Sequence, residues 1–270
     1  MANPTSPLTQ HAANLLAAAM NGHLDADRLN GALRVLAKWR SQVLLNTLMN
    51  RDGTLVQSGP FIGMDYPFAA TEGAGASRLL GCYEASLGPV IETIISRNYQ
   101  TVIDVGCAEG YYAVGLARRM PQAQIIARDA NRVALQLCAK LAAANGVSDR
   151  ISFGGLMQHP DFDICADQST VVICDIEGAE ADLLDPTRAT GLRHADILVE
   201  THDCITAGLS NLIYNRFSET HDIHRYDRTV NPEVLPTWMH RLSDLDRLLA
   251  LWEWRTGPTP WLWMTRKEAL

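Results

Sequence analysis

Two stretches of this 270-residue chain place side chains and glycines where chemistry could be done. In the first, Val102-Ile103-Asp104-Val105-Gly106-Cys107-Ala108-Glu109-Gly110, a β-branched apolar run carries an acid and passes through two glycines into a helix-like segment. Glycine is needed where the backbone takes unusual dihedrals or lets a ligand come close. A turn of this kind at the carboxyl end of a strand is where ligands meet doubly wound sheets. The same glycine pair would also suit a helix start with no ligand. Asp129, 23 residues beyond Gly106, adds a second feature: an acid near this spacing grips a ribose hydroxyl in nucleotide-binding βαβ units.

The second stretch is split. Asp175, Glu177, Glu180, Glu200, His202 and Asp203 stand at or just after the ends of two apolar runs, Val171 to Asp175 and Ile197 to Glu200. His202 can take a proton, since an imidazole titrates near neutrality, with Asp175 or Glu177 orienting it or the acceptor. Alternatively, Asp175, Glu200 and His202 can hold a divalent cation that binds and acidifies a hydroxyl. A third arrangement needs no ligand: Glu177 and Glu180 cap the short helix beginning near Gly178, and His202 hydrogen-bonds within a loop. The base and metal readings stay open side by side.

The turn discriminates among nucleotides. A dinucleotide site wants G-x-G-x-x-G, and Ala108 occupies the place where a second glycine would admit a pyrophosphate. Glu109 would repel phosphate at a helix start that otherwise attracts anions, whereas Asp104 would stabilise a nearby cation. The turn therefore favours a positively charged nucleoside without phosphate.

Elements that could position these residues follow from periodicity. Strand-like runs are Thr101 to Val105, Gln124 to Ala127, Ile151 to Phe153, Val171 to Asp175, Ile197 to Glu200, Ile223 to Tyr226 and Trp261 to Met264. Between them lie Tyr111 to Met120, a helix with Val133, Leu137 and Leu141 on one face, Ala179 to Leu184, and Ile205 to Phe217 with Leu209, Leu212, Ile213 and Phe217 aligned. The alternation implies an α/β, Rossmann-like, doubly wound and mainly parallel seven-stranded sheet with helices on both faces. Residues 1–75 read as an N-terminal helical arm or cap, with helices over Leu8 to Met20 and Leu29 to Met49 and a stripe of Leu33, Leu36, Trp39 and Val43. A loop from Gly53 to Gly75 follows, and residues 76–270 form the ligand-binding domain. The arm is a possible homo-oligomer contact. His221 and His224 suit a helix-to-strand turn, and Trp261 with Trp263 suit one buried strand face.

Four segments carry a family likeness: Gly81-Cys82-Tyr83-Glu84, Val102 to Tyr112 with its Gly-Tyr-Tyr ending, Asp175-Ile176-Glu177-Gly178-Ala179-Glu180, and Val199-Glu200-Thr201-His202. Over about residues 80–204 the chain resembles class I S-adenosylmethionine-dependent methyltransferases, and more narrowly the FkbM type. The resemblance implies S-adenosylmethionine as cofactor, with Asp104, Gly106 and Gly110 at its methionine end, Asp129 at its ribose, and Cys107, Ala108 and Ala130 beside them. Ala108 departs from the commoner glycine, and Asp129-Ala130-Asn131 from the usual Glu-Pro. The expected reaction is O-methylation of a small hydroxylated metabolite or sugar. His202, Asp175 and Glu177 are the expected catalytic residues, and Asp175, Glu200 and His202 the metal ligands if a cation is used.

Composition narrows the rest. With 47% apolar and 20% charged residues the chain can bury a large core. It shows no apolar run long enough for a membrane span and no signal peptide. Its six cysteines are scattered, which suits a reducing cytoplasmic compartment. A formal charge of −7 argues against a broad nucleic-acid surface, leaving a small-molecule substrate. Two competing expectations are a nicotinamide-dependent oxidoreductase, which shares the fold and the ribose acid, and a non-catalytic cofactor-binding partner protein.

Overall fold

Seven runs pair into one sheet in the computed structural model, whose described residues are 6–67 and 73–267. The strands are β1 (Thr101–Val105), β2 (Gln124–Arg128), β3 (Ile151–Gly154), β4 (Thr170–Cys174), β5 (Asp196–Glu200), β6 (His221–Tyr226) and β7 (Trp261–Arg266), in the order β3-β2-β1-β4-β5-β7-β6. The first five run parallel, and β7 lies antiparallel to both β5 and β6. Every residue of β1, β4 and β5 is buried, as strands covered on both faces must be. The seven-stranded, mainly parallel α/β sheet is thus present.

The helices are α1 (Pro7–Ala19), α2 (Ala26–Asp52), α3 (Gly75–Leu80), α4 (Gly88–Arg97), α5 (Tyr111–Arg119), α6 (Arg132–Ala144), α7 (Glu180–Leu183), α8 (Leu209–Phe217) and α9 (Asp244–Ala250). Because strand side chains alternate, Val102 joins one core with Leu48, Ile91, Val114 and Leu141, while Ile103 joins the other with Phe162, Leu192 and Phe217. Trp261 and Trp263 share the first core.

Three packing faces differ from the periodicity. On α6, Val133 is 60% exposed and the buried side is Ala134, Cys138, Leu141 and Ala142. Small residues there let the helix approach the Gly110 turn, where a β-carbon would strike Cys138 Sγ. On α2, Leu33 and Leu36 are exposed and Ala32, Ser41, Leu44, Leu45 and Leu48 are buried. On α8, Leu209, Ile213 and Phe217 face inward at i, i+4 and i+8, which leaves Leu212 at the edge.

The stretch expected to be a loop after α2 does more than connect. Phe61, Met64 and Tyr66 are fully buried in the same core as Val102, and Phe61 meets Tyr111 edge-on at 5.2 Å. Residues 68–72 of that loop lie outside the described residues. His221 sits on β6 rather than in a turn, with Nε2 2.9 Å from the Ala195 carbonyl and Nδ1 2.8 Å from Thr220 Oγ1, so its role is structural. Among the described residues no helix is long and apolar enough to cross a membrane, and the six cysteines are free thiols.

Candidate functional site

Parallel register brings the carboxyl ends of β1, β2, β4 and β5 to one rim. The turn after β1 begins at Gly106, whose φ of 81° is left-handed. The amides of Gly106 and Cys107 donate to the Arg128 carbonyl at 2.8 and 3.1 Å, and the Asp175 amide donates to Val105 at 2.9 Å. A β-carbon on Gly106 would overlap the Asp175 carbonyl oxygen, so close approach of two strand ends demands glycine here. Ala108 takes a φ of 45° despite its side chain. Its amide donates to Asp129 Oδ2 at 2.9 Å, and Asp129 Oδ1 accepts from the Asn131 amide at 2.6 Å. Surroundings that over-determine a strained residue in this way are typical of ligand sites.

A cavity of about 600 Å³ opens beside this turn, lined by Gly106, Asp129, Ala130, Met157, Asp175 and Glu177 among others. Of the seven cofactor residues expected, Gly106, Asp129 and Ala130 line it, whereas Asp104, Cys107, Ala108 and Gly110 do not. Asp104 is 3% exposed and its Oδ2 has no hydrogen-bond partner. Burial pushes this carboxyl up to about 7; a hydrogen bond from the Ala113 amide opposes the rise and the charge of Asp129 adds to it.

Glu109 overturns one expectation. It is fully buried and pairs with Arg78, while the Tyr66 hydroxyl donates to it. A carboxylate neutralised in this manner does not repel an anion at the start of α5, so the case against a pyrophosphate rests on Ala108 alone.

A second cavity, about 180 Å³, is lined by Tyr83, Glu200, His202, Glu253, Trp254 and Arg255, and it shares Asp175 and Glu177 with the first. Those two acids form the common wall. His202 is 3% exposed, and its Nδ1 lies 2.8 Å from Oε1 of the fully buried Glu180. Its Nε2 faces Asp175 at 3.5 Å, Glu177 at 3.4 Å and Glu200 at 3.5 Å. The orienting partner is therefore Glu180, not Asp175 or Glu177, and Glu180 does more than cap a helix, although its Oε1 also accepts from the Ile176 amide at 3.3 Å. Burial works against a charged imidazole, but the bond to Glu180 and the charges of Glu200, Glu180 and Glu177 outweigh it and hold His202 above its ordinary value. Burial, with Glu200 and Glu84 nearby, pushes Asp175 well above the usual carboxylate range. Asp203 is turned away, accepting from the Ser210 amide at 3.2 Å.

The residues that sequence reasoning missed form the opposite wall. Arg255 pairs with Glu84 and Glu200, and its Nε lies 3.0 Å from Glu253 Oε2, which Arg228 also reaches at 2.7 Å. Trp254, with φ 63°, is anchored by its indole N–H to Ser41 Oγ at 3.3 Å and by Lys38 over its ring. Arg255 belongs to no motif; the signals available are the tryptophan-rich C-terminal part, in which Trp254 could line a pocket although a core role is favoured, and Glu84 in the Gly81-Cys82-Tyr83-Glu84 segment.

Residues 89–165, which run from α4 through β1, the glycine turn, β2, α6 and β3, match the family model of the methyltransferase small domain. A release factor glutamine methyltransferase of Chlorobaculum tepidum is 34% identical over 89 residues, which amount to 33% of this chain and 27% of that protein. The matched stretch thus spans about a quarter of that relative's length. Among solved structures, a putative O-methyltransferase from Klebsiella pneumoniae aligns over 93% of this chain and 94% of its own at 11% identity and a TM-score of 0.45. An O-methyltransferase from Bacillus cereus in complex with SAH aligns over 95% and 97% at 9% identity and a TM-score of 0.46. The glycine turn and Asp129 fall inside the segment that matches the family model, while the acid–imidazole group lies beyond it.

Proposed function

We propose that this chain is an S-adenosylmethionine-dependent methyltransferase of the FkbM type, acting on an oxygen of a small hydroxylated metabolite or sugar. The observation that carries the reading is the meeting of two cavities at Asp175 and Glu177. One is walled by the glycine turn and Asp129; the other holds the imidazole. The residues fit the cofactor: about 600 Å³ lies within the usual range for a small-molecule site, with Gly106, Asp129 and Ala130 on its wall, and Asp104, two residues behind Gly106 with its buried Oδ2 unpartnered, would feel the Coulomb attraction of a cation in the cavity without touching it. When bound, S-adenosylmethionine supplies a sulfonium-activated methyl group, which passes to the acceptor oxygen as that oxygen's proton leaves and the carbon–sulfur pair returns to sulfur.

The protein's own residues then have separable tasks. Gly106 keeps the strand ends close enough for the wall of the cavity to form. Asp129 locks the turn by accepting the Ala108 amide, leaving its outer edge for a ribose. Asp175, Glu177 and His202 face the acceptor side, where a hydroxyl must lose its proton, and positioning both reactants across one wall is itself a large part of catalysis. Titrating S-adenosylhomocysteine into the full chain by calorimetry tests the assignment: saturable heat is expected, and no heat from folded protein would overturn it.

His202→Ala is expected to keep affinity for S-adenosylhomocysteine within a few-fold while turnover with labelled cofactor and a panel of hydroxylated metabolites falls about 100-fold or more. Unchanged turnover would remove His202 from the chemistry. Calorimetry in buffers of differing ionisation heat should show a proton released on binding near about pH 6, fading above about pH 8, because a cationic ligand ionises an Asp104 that otherwise titrates at about 7. The same group makes ligand-free stability fall as pH rises from ~4, where an unfolded aspartate titrates, to about 7. Heat independent of buffer at the lower pH would exclude this role for Asp104.

A further inference from the structure

We propose that Asp175, Glu200 and His202 form a binding site for a divalent cation of the Mg²⁺ or Mn²⁺ class, with Glu180 as the positioning residue that fixes the imidazole. The placement of the acceptor rests on the methyltransferase reading above; cation binding rests on the geometry alone.

One ligand atom from each of the three residues lies within 4.8 Å of the others, and two of the separations, from His202 Nε2 to Asp175 Oδ1 and to Glu200 Oε2, are 3.5 Å. Three atoms so arranged share a centre roughly 2.0–2.4 Å from each, the distance range of Mg²⁺ and its neighbours up to Ca²⁺. The ligand types agree: carboxylate oxygens suit Mg²⁺ and Mn²⁺, and one imidazole is compatible with Mn²⁺.

Two independent observations point to a missing partner. Asp175 Oδ1 is buried without a hydrogen bond, and the Nε2 of the 97%-buried His202 points into three carboxylates, all at 3.4 Å or more. The other side of the ring explains why. A metal-binding histidine almost always donates its second N–H to a carboxylate, which fixes the tautomer and leaves the first nitrogen free to bind. Glu180, fully buried and 2.8 Å from Nδ1, stands in that place.

Charge supports the same conclusion. Among the described residues, Glu84, Asp175, Glu177, Glu180, Glu200 and Glu253 crowd this region, and only Arg255, Arg228 and the imidazole answer them. Arg78, the remaining guanidinium on the cavity wall, is engaged by Glu109. A dication would balance much of the excess. With three protein ligands, the remaining coordination positions open toward the 180 Å³ cavity, where an acceptor hydroxyl would sit with Glu177 beside it to receive the proton.

The test is Mn²⁺ titration of the full chain, followed by loss of the free-ion electron paramagnetic resonance signal, with S-adenosylhomocysteine calorimetry run in parallel. One saturable Mn²⁺ per chain is expected, displaced by excess Mg²⁺. His202→Gln and Glu200→Gln should abolish it, and Glu180→Gln should weaken it about 10–100-fold without touching a ligand. If His202→Gln fails to fold, Asp175→Asn takes its place. Wild-type protein that binds S-adenosylhomocysteine but no Mn²⁺, or ligand variants that keep wild-type Mn²⁺ affinity, would overturn the site. Mn²⁺ binding that survives alongside a failed S-adenosylhomocysteine titration would support the site and remove only the methyltransferase reading.

Discussion

Gly106→Val is expected to lower affinity for S-adenosylhomocysteine by about 100-fold or more, equivalent to ~2.7 kcal/mol. The reason lies in backbone contact rather than in any lost side chain. At a φ of 81°, any β-carbon is strained, and here it would also collide with the Asp175 carbonyl. The strand ends must then part, which shifts Asp175, and with it the wall shared by both cavities. The turn stands at the rim of the sheet, so circular dichroism should still report a folded α/β protein. Affinity within a few-fold of wild type would show that the cofactor does not depend on this turn.

The largest effect on stability is expected from Arg78→Met. Its guanidinium is buried against the Glu109 carboxylate and stacks 4.4 Å from the centre of the Tyr83 ring. Removing the cationic partner of a buried ion pair costs about 3–5 kcal/mol. At ~2–4 °C per kcal/mol for a chain of this size, the melting temperature should drop by roughly 6–20 °C. Adding Glu109→Gln should recover much of the loss, because replacing both members of a buried pair is often nearly neutral. A double variant no more stable than Arg78→Met would show that the pair is not the cause. The two substitutions also separate structure from function: one disables a turn without unfolding the sheet, the other weakens the core beneath that turn.

Local reading served well wherever the decisive interaction is local. The strand–turn–helix around Gly106 and Gly110 is legible because an apolar run, a conformational demand and a helical period follow one another directly. The same is true of β4 and β5, whose unbroken apolar runs are what double burial requires. It served less well on helix faces. Val133 has the right chemistry and the right spacing for burial, but the face that approaches the turn is chosen by size, and Ala134 and Cys138 are small.

By itself the chain's sequence determines the layered sheet, the glycine turn and the pool of acids at the ends of β4 and β5, because each depends on neighbours a few residues apart. Only the tertiary structure decides how those groups are used. It hands the His202 ring to Glu180, 22 residues away, pairs Glu109 with Arg78, 31 residues away, and walls the second cavity with Arg255, 171 residues from its partner Glu84. Contacts across such separations leave no period or spacing in a sequence; they exist because the rim of a parallel sheet gathers the ends of strands that are distant along the chain.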